Sequence, residues 1–143
     1  MAKSSATRNN FLQLLFNGTA WAFIADNAAT TPATNFYVAL HTGDPGIAGT
    51  QATSECTYTG YDRITSPRTS GEWTVTANSV SNTTELSFPI ASAGSETATY
   101  ASIGMDDFPT AGIILYSGAL SPSIVITTGV TPVITLASTI TET

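Results

Sequence analysis

From residue 36 onward the chain keeps returning to a period of two, in short runs. In Phe36–Thr42, Phe36, Val38 and Leu40 fall on one side, and Tyr37, Ala39 and His41 on the other. Trp73 and Val75 alternate within 72–76, Leu86, Phe88 and Ile90 within 84–90, and Ile134, Leu136 and Ile140 within 133–141. Successive side chains of a strand point to opposite faces, so such runs predict half-buried strands. Further strands are expected at 61–66, ended by Pro67, and at 96–103, 113–117 and 122–127. Short strands separated by turn residues predict an all-β fold, an antiparallel β-sandwich or barrel. Composition agrees. Of 143 residues, 26 are Thr and 15 Ser, and charged residues make up only 10%. Thr is β-branched and suits a pleated, half-buried surface.

One stretch has helical period. In TRNNFLQLLFNG, Thr7 is the candidate N-cap and Asn17-Gly18 the stop. Phe11, Leu14 and Leu15 share a face, with Leu12 and Phe16 beside them. A helix this short does not persist alone in water. It must pack on its own domain or on a neighbouring subunit, so these five residues are the candidate interface. The expected organisation is an N-terminal arm and short helix at 1–18 and a single β domain at 19–143. Trp21, Phe23 and Ile24 are expected to be buried, ahead of an Ala/Thr/Pro loop.

The chain offers few parts for chemistry. Its one histidine, His41, lies three residues before Asp44 in FYVALHTGDPG, with Glu55 and the one cysteine, Cys56, further on. Asp44-Pro45-Gly46 fits a type II turn, with Pro fixing φ and Gly accepting a positive φ. No second His and no calcium-loop spacing accompanies His41, so no metal site is expected. Cys56 has no flanking nucleophile motif, and a lone cysteine forms no internal disulfide. Asp106-Asp107 reads as a solvated loop. No catalytic residue and no cofactor is expected. The net charge of −6 arises wholly after residue 68, where six acids and no Lys or Arg occur. That deficit argues against direct nucleic-acid binding and against an anionic membrane surface. No run approaches the ~20 apolar residues of a membrane span, and folding in a cytosol is expected.

The run FYVALHTGDPGIAGTQATSECTYTGYDR resembles the LYVALHTADPG…G…T.E..Y.GY.R signature of small structural proteins of tailed bacteriophages. GEWTV, SNTTELSFPIAS, ASIGM and IILYSGALSPSIVITTGVTPVITLASTIT continue the resemblance, which spans most of the chain. It implies a virion structural protein with no active site, assembled in the bacterial cytoplasm. The leading expectation is a capsid decoration or cement protein on the head surface. Its partners would be the major capsid protein and copies of itself, as a trimer. The alternative is a tail or fibre component that recognises host-surface glycans through its aromatics. The resemblance also marks Arg63, in Tyr-x-Arg, as an anchor for a local carboxylate or carbonyl groups.

Overall fold

The computed structural model describes residues 3–21, 33–136 and 138–143. They form one helix, α1 (Ser5–Asn17), and the strands β1 (Asn35–His41), β2 (Ile64–Pro67), β3 (Trp73–Thr76), β4 (Ser79–Asn82), β5 (Leu86–Ser87), β6 (Ser95–Gly104), β7 (Ile114–Thr127), β8 (Val133–Ile134) and β9 (Thr139–Thr141). The sheet orders are β2-β1-β6-β7, β3-β4-β9 and β5-β8, and the pairings β1-β6, β6-β7, β3-β4, β4-β9 and β5-β8 are antiparallel. The all-β expectation holds. Among the described residues no sheet closes on itself, so the barrel alternative drops out.

The chain divides into two compact units. The first takes Met1–Thr34, Pro67–Glu85 and Thr135–Thr143. Its helix starts one turn earlier than the sequence suggests. Ser4, not Thr7, is the N-cap, and its hydroxyl accepts the Thr7 N–H at 3.1 Å. Gly18 ends the helix at φ 63°, with its N–H on the Gln13 carbonyl, as the Asn-Gly stop predicts. Arg68 satisfies two of the orphan carbonyls at this end. It donates to Leu15 O at 2.7 Å and Leu14 O at 2.9 Å.

The buried stripe of α1 is Leu12 and Phe16, one turn apart, and both are fully buried. It is rotated from the expected Phe11/Leu14/Leu15 face. Phe16 meets Trp73 of β3 edge-on, with centroids 5.1 Å apart. Burying each of these two side chains contributes about 1.5–3 kcal/mol, which is what holds so short a helix. The helix therefore packs within its own unit. Next to it, β3 and β4 form a hairpin with Trp73 opposite Asn82, and β9 joins the far side of β4. The run SVSN of β4 gives little apolar signal, because only Val80 is apolar and its neighbours Ser79, Ser81 and Asn82 are polar. The expected burial of Phe23 and Ile24 lies outside the described residues, and Trp21 is half-buried.

The second unit takes Asn35–Ser66 and Leu86–Ile134. Phe36, Val38 and Leu40 of β1 are buried as expected, but so are Ala39 and His41 on the other face. This strand is internal to its sheet, between β2 and β6, and both its faces are covered. The strands expected at 113–117 and 122–127 are one strand, β7. Its register with β6 jumps from Ala98↔Ile124 to Tyr100↔Ala119, so Leu120–Ser123, with a cis Ser121–Pro122 bond, bulge opposite Thr99. The run at 84–90 pairs only over β5. Leu86 and Phe88 are buried, while Ile90 is 55% exposed. The single strand expected at 133–141 splits. Its start, β8, pairs with β5, and its end, β9, pairs with β4, with Leu136 exposed between them.

Candidate functional site

A buried polar cluster lies behind the loop that follows β6. Arg63 is its centre. Its Nε and Nη2 donate to the two carboxylate oxygens of Glu55 at 2.7 and 2.8 Å. Nη1 donates to the carbonyls of Asp106 and Asp107, and Nη2 also to that of Thr110. The side chains are 0% and 5% exposed. Tyr61 completes the cluster. Its hydroxyl donates to Glu55 Oε1 at 2.9 Å and accepts the Leu40 N–H at 3.1 Å. A planar, five-donor guanidinium meets this geometry where a lysine could not. The sequence marks Arg63 as an anchor for a carboxylate or carbonyl groups, and the structure supplies both.

This arrangement holds a loop in place. Arg63 pins residues 106–110 through three backbone carbonyls, and Phe108 covers the guanidinium at 5.9 Å. The acids of the loop turn to their own backbone. Asp106 Oδ2 accepts the Ile113 N–H at 3.3 Å, and Asp107 Oδ1 accepts the Phe108 N–H at 2.9 Å. Below the loop, Gln51 is fully buried, and its Nε2 donates to the Tyr37 carbonyl. Gly104 and Gly112 flank it. A Cβ on Gly104 would lie 2.1 Å from the Gln51 carboxamide, so glycine alone leaves room.

His41 is buried beside this cluster. Burial, the largest cause, lowers its pKa, so the ring is neutral at pH 7. The Thr53 carbonyl can only accept, so Nδ1 carries the proton and donates to it at 2.9 Å. Nε2 then accepts from the Ser102 hydroxyl at 2.8 Å. Both nitrogens are satisfied by structure. Asp44 is not among the partners of His41. It closes the turn instead, with its Oδ1 accepting the Gly46 N–H at 2.8 Å and Gly46 at φ 69°. Cys56 is fully buried, and burial with the nearby Glu96 carboxylate pushes its thiol up to about 12. No hydrogen bond joins it to His41, and a thiol held neutral is a poor nucleophile. Among the described residues, no three His, Cys, Asp or Glu side chains gather as a metal site.

The five residues of the candidate helix interface separate. Leu12 and Phe16 are spent in the core of the first unit. Leu14 and Leu15 are half-buried, and Phe11 is 37% exposed, with Lys3 over its ring at 5.8 Å. A partner docking on the arm would therefore touch Phe11, Leu14 and Leu15. Sequence reasoning missed Tyr61 and Glu55 as partners of Arg63. It also missed Glu96, which accepts from Thr57 N, Thr57 Oγ1 and Tyr58 N. Partners 38 and 39 residues apart leave no local signal.

Open antiparallel sheets, with a loop held by a buried ion pair, define an all-β domain. The profile of a family described as podophage GP4 fiber I protein gp80 matches residues 2–141. The chain belongs to that family and is a structural protein of the phage virion. Curated proteins show no match to it.

Proposed function

We propose that this chain is a fibre component of a podophage virion, acting by contact with other proteins and not by catalysis. The observation that carries this reading is the family match, which covers nearly the whole chain and is described as a fibre protein. The same description gives less support to the capsid-decoration reading, in which the partner would be the major capsid protein. The buried and saturated state of His41, Cys56 and Arg63 supports a non-enzymatic role.

One surface suits assembly with copies of itself. Strand β7 ends its sheet, and residues 108–141 contain no charged side chain. Ile113, just before it, and Val125, near its far end, are 68% and 62% exposed. Edge strands that must stay single usually carry charge. On a chain of net charge −6, copies repel least where no charge lies.

Localising the chain in a reconstructed virion tests the reading. Density for it in fibres at the tail, at low copy number, is the expected result. Hundreds of copies on the icosahedral shell would restore the capsid-decoration reading.

A further inference from the structure

We infer that Asn17-Gly18 is a latent deamidation site, kept closed in the folded chain by Gln13. Its chemistry is the same whatever the chain assembles with.

Asn17-Gly18 is the one Asn-Gly step of the sequence. An asparagine side chain is open to attack by the backbone nitrogen of the residue that follows it. Glycine, with no Cβ, hinders that approach least. The Gly18 nitrogen gives up its proton and bonds to Asn17 Cγ, which closes a five-membered succinimide. Nδ2 leaves with that proton as ammonia. Water then opens the ring at either carbonyl and leaves aspartate or isoaspartate at position 17.

Both nitrogens of this reaction are held by one residue. Asn17 is the last residue of α1, and Gly18 caps it at φ 63° with its N–H on the Gln13 carbonyl. The same carbonyl accepts the Thr19 N–H at 3.1 Å. Gln13 Oε1 accepts from Asn17 Nδ2 at 2.7 Å. Gln13 thus occupies the attacking nitrogen through its main chain and the leaving nitrogen through its side chain. Neither is released until the last turn of α1 opens, so conversion waits on local fraying of the helix end.

The product does not fit the place it is made in. Asn17 Oδ1 is buried and has no hydrogen-bond partner. An aspartate there would put charge on that oxygen, at the negative end of the helix dipole. It would also replace the Nδ2 donor with an oxygen facing Gln13 Oε1. Arg68, the guanidinium at this end, already serves the carbonyls of Leu14, Leu15 and Ala33. Conversion therefore loosens the turn that carries Phe16 against Trp73.

The test follows the intact chain in mildly alkaline buffer by mass spectrometry, which reads the exchange of NH for O and locates it by fragmentation. In urea, position 17 is expected to convert faster than any other asparagine, and in the folded chain far more slowly. Gln13→Ala removes the side-chain hold while favouring the helix. Its folded form is expected to convert about fivefold faster at position 17. Conversion at Asn78, in the turn between β3 and β4, should not change, which separates local fraying from global unfolding. Gln13→Glu keeps an acceptor for Nδ2 and should convert at close to the parent rate. Asn17→Asp supplies one product in pure form, and it should melt below the parent. Equal rates at position 17 in the folded parent and in urea overturn the assignment. So do equal rates in folded Gln13→Ala and the parent, or an Asn17→Asp chain as stable as the parent.

Discussion

Arg63 and Glu55 face each other through two parallel hydrogen bonds of 2.7 and 2.8 Å, and neither side chain is more than 5% exposed. The same guanidinium holds three carbonyls of the 106–110 loop. Removing one member of such a pair strands the other charge in a dry site. Arg63→Ala is expected to lose about 3–5 kcal/mol in a denaturant melt. Arg63→Lys should recover only part of this, because an ammonium cannot span the carboxylate and three carbonyls at once. A loss below about 1 kcal/mol for Arg63→Ala would show that the staple is not needed.

Stability should fall on both sides of neutrality, for opposite reasons. In the folded chain the Cys56 thiol is pushed from 9.0 to about 12 and the Tyr58 hydroxyl from 10.0 to about 12, mainly by burial. Tyr61 is raised as well, again mainly by burial. The folded state thus holds more protons than the unfolded chain between about pH 9 and 12, and stability drops as pH rises through that window. His41 acts in the acid range. Its pKa is lowered from 6.5, so the unfolded chain takes up a proton first, and stability drops as pH falls below 6.5. Urea melts from pH 5 to 11 check both limbs, and Cys56→Ala should flatten the start of the alkaline one.

Gly104→Ala is expected to destabilise more than Gly112→Ala. The new methyl at 104 would lie 2.1 Å from the Gln51 side chain and 2.6 Å from the Ile113 carbonyl, which belongs to the backbone. At 112 the nearest atoms belong to the side chains of Asp106 and Gln51, at 2.7 and 2.8 Å. Overpacking costs about 1–3 kcal/mol, and the backbone contact puts position 104 at the upper end. Thermal melts of the two variants give the order directly.

Val125→Lys tests the uncharged edge. Val125 is 62% exposed, so the fold should tolerate the change. A charge on β7 should shift any oligomer toward monomer in light scattering coupled to gel filtration. An unchanged oligomer would place self-association on another surface.

The alternation at 36–41 was readable because β1 needs apolar side chains on one face wherever it sits. The turn at Asp44-Pro45-Gly46 and the helix stop at Gly18 were readable because backbone angles dictate their residues. Three features were not. The helix stripe was misplaced because five apolar residues crowd 11–16, and contacts far along the chain, such as Phe16 with Trp73, decide which of them are buried. β4 was missed because its inward Asn82 is satisfied by carbonyls of Thr84 and Thr135, and no local pattern announces that. The partners of Arg63 were missed because Glu55 and the 106–110 loop meet it only after β1 and β6 have paired.

The interleaving of the two units bears on how such a gene can change. The first unit draws on both ends of the chain and its middle, and the second fills the intervals. A single crossover between the codons of α1 and those of β9 therefore gives a first unit whose helix and last strand come from different parents. With Phe16 against Trp73 and β9 paired to β4, such hybrids must reconcile surfaces that evolved apart. Exchange between phages should favour keeping the stretch from α1 to β9 together, and variation inside it should arrive one residue at a time.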